Sequence, residues 1–256
     1  MVSHRFEVED IEGACELVAR HRDGVLEIAI TPQLDAGTGS LKRYDLGARL
    51  FASCLAAGAG YVDAIGFLKT GGFFVSFMSG NSTRTAVGLT KGSGAAVFGL
   101  GLIVAFVAGV TTGATAGRAV TRRRTAVILA LVALLLAAAS TVLMVGQSPW
   151  GVLLLAFAMG AENTIFAEDG EVRIGVTYMT GTLVKLGKAL AAALFGGDPL
   201  GFAPYFFLWL GLVVGAVVGA EAYVRSGVGA LWGAAGFMAV LAVISAVCGL
   251  PERRGV

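Results

Sequence analysis

The sequence predicts an all-α integral membrane protein, with six transmembrane helices and two re-entrant broken elements arranged as two inverted repeats. Three observations predict it. First, 56% of the 256 residues are hydrophobic and only 14% charged, and the mean hydropathy is +0.80, a composition foreign to soluble domains. Second, residues 73–81, FFVSFMSGN, return as residues 174–182, IGVTYMTGT; from Val75 to Asn81 the Val, Met and Gly are identical and the other positions keep hydroxyl, aromatic or small polar character. That pattern is the mark of a duplicated half-chain. Third, the basic residues fall unevenly about the apolar stretches. Eight full crossings from an outside N-terminus would divide them seven to six. If each broken element instead enters and leaves by one face, ten lie inside and three outside (Lys69, Lys91 and Arg225), as the positive-inside rule requires. Three spans per half then invert one half relative to the other, a plan that transporters share.

Residues 1–45 form a charged cytoplasmic extension. Nine of the 17 acidic residues lie there and no apolar core precedes Leu46, so it is not a signal peptide. Acids at Glu7, Glu9, Asp10 and Glu12, with Arg20 and Arg22 behind them, suit a short helix. Residues 25–30 suit a strand stopped by Pro32.

Membrane repeat 1 covers residues 46–149. Its first span, 46–68, is apolar except for Arg49 and Asp63, and it matches the roughly 20 residues that cross a bilayer. A turn at 69–72 leads into the first broken element, which is extended where Phe73, Val75 and Phe77 alternate and helical from Asn81 to Leu89. The uncharged span 94–117 ends in a glycine ladder, Gly109, Gly113 and Gly117, followed by Arg118, Arg122, Arg123 and Arg124; a second uncharged span covers 125–146. Membrane repeat 2, residues 150–250, has the same plan. A span at 150–167 carries Glu162 and Asn163, and an acidic turn precedes the second broken element, whose helix covers 182–195 and holds Lys185 and Lys188. Spans follow at 202–224, with the ladder Gly211, Gly215 and Gly219, and at 229–250. Residues 251–256 are a short cytoplasmic tail. The ladders read as faces of close helix packing.

Composition also excludes function classes. Both histidines, His4 and His21, lie in the extension, and Cys15, Cys54 and Cys248 are far apart, which argues against a disulfide framework, a metal site, a cofactor or a hydrolytic enzyme. The basic residues sit at span ends without interleaved aromatics, so nucleic acid is not an expected partner. The expected partners are the lipid bilayer and a small-molecule or ion substrate, with a homo-oligomer left open.

The candidate site gathers around the two broken elements. Asp63 lies about five residues from the end of its span, roughly 7 Å deep by helix rise, where a carboxylate points to an ion path or a substrate. The bland alternative is a hydrogen bond that holds the following turn. Aligning Gly60 with Gly160 sets Asn163 opposite Asp63. Asn81 and Thr182 read as helix N-caps, beside Gly80 and Gly181 and the hydroxyls of Ser76, Ser79, Thr177 and Thr180. The half-helix starts would then offer N–H groups to an anion, with Arg84 and Lys185 as added charge. Lys188 reads as reaching for an interface. Glu162, nearer the end of its span, suits an interface and a buried role equally.

The runs Ala59-Gly60-Tyr61-Val62-Asp63-Ala64-Ile65-Gly66-Phe67 and Phe77-Met78-Ser79-Gly80-Asn81, with Tyr178-Met179-Thr180-Gly181-Thr182 in the second half, carry a family resemblance. The chain resembles the YoaK-like family of bacterial membrane proteins, whose signature is G-Y-[VLI]-D-A followed by F-x-x-x-M-[ST]-G-N. Ser79 stands where that family usually has threonine, which keeps the hydroxyl. The resemblance covers roughly residues 43–250 and implies a polytopic protein of the bacterial inner membrane. The function expected is secondary transport of a small solute, an anion being favoured, with proton or cation coupling at Asp63. The alternative is a sensing or scaffold protein that acts through its cytoplasmic extension.

Overall fold

The computed structural model of the protein describes residues 4–7, 28–31, 46–120, 123–146, 148–168, 171–172 and 177–249. Its helices are α1 (Leu46–Thr70), α2 (Met78–Thr90), α3 (Gly94–Ala119), α4 (Arg124–Val145), α5 (Pro149–Glu162), α6 (Met179–Leu194), α7 (Ala203–Ser226) and α8 (Leu231–Cys248), with a 3-10 turn, Gly227–Ala230, between the last two. Among the described residues, strands are confined to two short ladders: β1 (His4–Glu7) parallel to β2 (Ile28–Thr31), and β3 (Ala167–Glu168) antiparallel to β4 (Glu171–Val172). Residues 1–40 form one unit and residues 41–256 another. The strand expected before Pro32 is present as β2, but Glu7, expected to open a helix, lies in β1. The remainder of that expected helix falls outside the described residues.

Among the described residues, four helical stretches are long and apolar enough to cross a membrane by length and composition: 46–70, 94–119, 124–145 and 203–248, the last being α7 and α8 joined through the 3-10 turn. Helix α5 is shorter than expected. It starts well, since Pro149 occupies the first turn and Ser148 Oγ accepts from Trp150 N at 3.3 Å. It stops at Glu162 instead of reaching residue 167. Asn163 Nδ2 donates back to Met159 O (2.8 Å) and Thr164 Oγ1 to Ala161 O (2.7 Å), while Ile165 N closes a tighter turn on Glu162 O (3.1 Å). Met159 O still accepts the helical bond from Asn163 N (3.2 Å), but Thr164 takes the Ala161 carbonyl that the next helical turn would use.

Helix α1 packs chiefly on α7, α3 on α5, and α4 on α8. The glycine ladders set the first two contacts. A Cβ on Gly211, Gly215 or Gly219 would strike the main chain of Ser53, Ala57 or Tyr61 respectively, so residue numbers rise together and α1 and α7 run parallel. Gly109 meets Phe157 and Gly113 meets Ala161 in the same way, so α3 and α5 are parallel too. In hydrocarbon no hydrophobic effect draws helices together, and close backbone approach supplies the dispersion contacts that do. Equal spacing in the sequence pairs Gly113 with Gly215, but matching contacts pair Gly109 with Gly215 and Gly113 with Gly219. The last rung, Gly117, lies under the Arg124 side chain instead of a helix.

Helices α4 and α8 run antiparallel. Ser140, near the end of α4, donates to Val228 O just before α8 at 3.3 Å, so α8 sets out from the end where α4 finishes and returns along it. Leu55, Val62 and Ile65 of α1, Ile128, Leu129 and Leu136 of α4, Leu155 and Met159 of α5, and Leu231 and Met238 of α8 are fully buried. Val97, Val104 and Val107 of α3 and Val214, Val217 and Val218 of α7 are exposed. An apolar outer face of that kind suits a lipid solvent.

Candidate functional site

After α1 the chain turns at Gly71 and Gly72, whose φ values of +69° and +122° lie where side chains are strained. Gly72 must also be bare, because the Arg84 guanidinium lies where its Cβ would be. Residues 73–76 then run back along α1, bending at Val75 and Ser76. A Cβ on Gly66 would be 2.7 Å from Val75 Cγ1, so a glycine on α1 lets the segment lie flat against the helix.

No neighbouring strand pairs with this segment, yet all four of its N–H groups are satisfied by side chains. Phe73 N donates to Thr70 Oγ1 (2.9 Å), and Phe74 N to Asn81 Oδ1 (3.0 Å). Val75 N and Ser76 N both donate to Asp63 Oδ1, at 2.7 and 2.9 Å. Asn81 completes the clamp by donating from Nδ2 to Phe74 O at 2.6 Å. A non-helical backbone away from water must find such partners or lose several kcal/mol per group. The Asp of G-Y-V-D-A and the Asn of M-S-G-N are therefore the two ends of one clamp, and the hydrogen bond expected to hold the turn after Asp63 is present.

The second half has a counterpart. Thr177 Oγ1 donates to Asn163 Oδ1 at 2.9 Å, both residues being buried, as Ser76 N donates to Asp63. Residues 173–176 fall outside the described residues.

The helix starts differ from expectation. Helix α2 begins at Met78 with Phe77 at the N-cap, and α6 at Met179 with Tyr178 there; neither makes a side-chain capping bond. Asn81 and Thr182 are thus not N-caps but lie in the first turn. Asn81 is drawn back to Phe74, and Thr182 Oγ1 donates to Tyr178 O at 3.3 Å. Ser79 and Thr180 are exposed. Gly80 is held bare by packing, since its Cβ would be 2.7 Å from the Phe77 ring and 3.1 Å from that of Phe74, whereas a Cβ on Gly181 would meet nothing within 4 Å among the described residues.

The cations are spread out. Arg84 lies over the Phe73 ring, 5.2 Å from its centroid, and lines a cavity of about 370 Å³ between α2 and α3 with Lys91, Thr83 and Ser93. That cavity includes neither Asp63 nor any residue of α6. Lys185 is half-buried and Lys188 exposed. The structure thus brings Asp63, Ser76 and Asn81 together in one clamp and Asn163 with Thr177 in another. Helix α2 packs on α3, and α6 on α7.

Both clamps fall inside the segment, residues 51–244, that matches the family described as protein of unknown function (DUF1275). The chain belongs to the DUF1275 family. Among its relatives is the UPF0700 transmembrane protein RA0705 of Rhizobium meliloti (strain 1021), 35% identical over 196 residues, or 76% of this chain and 84% of that one. No solved structure matches. The resemblance read from the two motifs is borne out, and this DUF1275 chain is a membrane protein.

Sequence reasoning missed one group in this DUF1275 site, Thr70, and left the role of a second, Glu162, open between an interface and a buried position. Thr70 anchors the first residue of the segment 73–76; its signal was a hydroxyl one residue before a Gly-Gly turn. Glu162 is fully buried, and neither of its carboxylate oxygens has a hydrogen-bond partner among the described residues. Its signal was a lone acid in an apolar span, the same signal that singled out Asp63.

Proposed function

We propose that this protein is a secondary transporter of a small solute, an anion by preference, made of two inverted halves of three spans and one re-entrant element each. The observation that carries this reading is the pairing of the helices. In a duplicated chain α1 corresponds to α5, α3 to α7 and α4 to α8. The parallel pairs α1–α7 and α3–α5 then exchange, while α4–α8 maps onto itself. A pair that maps onto itself runs antiparallel only about an axis perpendicular to its helices, which for spanning helices means an axis in the membrane plane. Eight full crossings would make α4 and α8 parallel.

Helix α2 supports the re-entrant reading. Gly88 meets Ala96 and Gly99 meets Thr85, so α2 runs antiparallel to α3 and returns the chain to the side from which residues 73–76 left. Discontinuous elements in inverted halves place half-helix starts inside transporters, where their positive ends face anionic groups. The solute site in this reading is formed by the main chain and hydroxyls at Ser79, Gly80, Thr180, Gly181 and Thr182, with Arg84 and Lys185 contributing charge. The Asp63–Ser76–Asn81 and Asn163–Thr177 clamps hold the two starts in place. The open space at Gly181 leaves room for a ligand against the backbone.

The test is uptake into proteoliposomes, with thermal shift alongside, for a panel of small anions and cations. Anions should stabilise and enter with the wild type, and Lys185→Ala should weaken their binding more than it lowers stability. Stabilisation by cationic or neutral solutes alone, unchanged in Lys185→Ala, would refute the anion preference.

A second reading rests on the N-terminal unit. Residues 1–40 form a unit of their own with a parallel β1–β2 ladder, which favours a sensing or scaffold role acting through that unit. It predicts no uptake and a soluble partner bound by residues 1–45.

A further inference from the structure

From Glu162 we infer a proton-binding carboxyl at the end of α5, the group that couples solute movement to a proton gradient; the coupling role rests on the transport reading above. The internal duplication supplies a control. With Gly60 matched to Gly160, Glu162 corresponds to Val62, and both side chains are completely buried. A hydrocarbon fills this position in one half, so packing does not require an acid in the other. The acid also earns no hydrogen bond, since Oε1 and Oε2 are both buried without a partner among the described residues. Asp63 differs, because its Oδ1 is committed to Val75 N and Ser76 N. Asp63 holds structure, and Glu162 is left for chemistry.

A carboxylate stripped of water and donors is not held in its ionised form unless a cation neutralises it. The charged groups on the helices packed against α5 are Arg118 at the end of α3, Arg124 at the start of α4, and Arg49, Asp63 and Lys69 on α1. None of them bonds to Glu162. Arg124 instead donates from Nη2 to Thr164 O at 2.9 Å, and its Nε is buried without an acceptor. No cluster of three or more His, Cys, Asp or Glu side chains among the described residues could hold a metal ion. Among the described residues that leaves a proton on the carboxyl itself as the neutralising cation.

The cycle balances simply. In the buried state the carboxyl keeps its O–H bond; when the end of α5 is hydrated that bond breaks, the proton passes to water, and a carboxylate remains. Arg124, two residues from Glu162 through the Thr164 carbonyl, has an unused N–H with which to receive that charge.

The experiment is pH-difference infrared spectroscopy of the whole protein in lipid nanodiscs, comparing wild type with Glu162→Gln and with Glu162→Val, which copies the other half and stands in if the glutamine variant does not fold. The wild type should show a protonated carboxyl band at neutral pH without solute, and both variants should lose it. A wild type without that band, or variants that keep it, would overturn the assignment. Uptake separates the two readings. Gradient-driven uptake that survives in Glu162→Gln sinks the coupling role and leaves transport standing. A Glu162 band in a protein that takes up nothing under any gradient keeps the proton site and removes the transporter.

Discussion

Asp63 accepts two N–H groups on one oxygen, and Asn81 meets both main-chain groups of Phe74. Each residue is worth what its partners would lose without it. Asp63→Ala strands two buried N–H groups, at about 1–3 kcal/mol each. Asp63→Asn keeps a carbonyl oxygen at the same place and should cost about 1 kcal/mol, near the net value of one hydrogen bond. Asn81→Ala should resemble Asp63→Ala. Thermal unfolding in detergent gives the order, and equal melting temperatures for the alanine and asparagine variants of Asp63 would mean that water satisfies the segment and no clamp exists.

Among the elements, the contacts most exposed to single changes are the parallel pairs α1–α7 and α3–α5. A Cβ at Gly215 would collide with Ala57 O and one at Gly109 with Phe157 O, both of them backbone atoms that cannot swing aside. Alanine at either position should therefore destabilise by about 1–3 kcal/mol, the range for overpacking. Gly236, in α8, has nothing within 4 Å of its would-be Cβ. Gly236→Ala should be neutral or gain up to about 1 kcal/mol through helix propensity. Melting in detergent reads all three, and tolerance of alanine at Gly215 and Gly109 would show that these helices part easily.

Taken whole, the molecule is defined by which ends of its helices share a face. The proposed inversion of the halves would put the α2–α3 turn, the α4–α5 turn and the 3-10 turn on one side, and the α3–α4 and α6–α7 turns on the other. In a background without Cys15, Cys54 and Cys248, cysteines at Lys91 and Gly146 should react with an impermeant thiol reagent from outside. Cysteines at Arg123 and Asp198 should react only after the membrane is permeabilised. All four native residues are exposed, so access to the reagent is not limited by packing. Labelling of Arg123→Cys from outside would contradict the inversion.

Membrane class, the duplicated broken element and the glycine ladders are legible in the linear sequence because each depends on neighbours within a few turns of chain. Composition decides the solvent, an alternating run decides the non-helical segment, and glycines four apart decide a smooth helix face. The ends of elements were less legible. Helix α2 starts three residues before Asn81, whose side chain reaches back to Phe74 from inside the first turn instead of capping it, and α5 stops five residues before the expected end, where Thr164 takes the Ala161 carbonyl from the helical ladder. Most of the candidate site was named from its residues, but their roles depend on contacts that chain distance hides. Asp63 is joined to Val75 and Ser76 across a reversal, the ladders find their register on helices far away in sequence, and Glu162 is inside because of what surrounds the end of α5. Burial and hydrogen-bond partnership are properties of the packed chain. The same acid in an apolar span can thus be a clamp at Asp63 and an unpartnered carboxyl at Glu162.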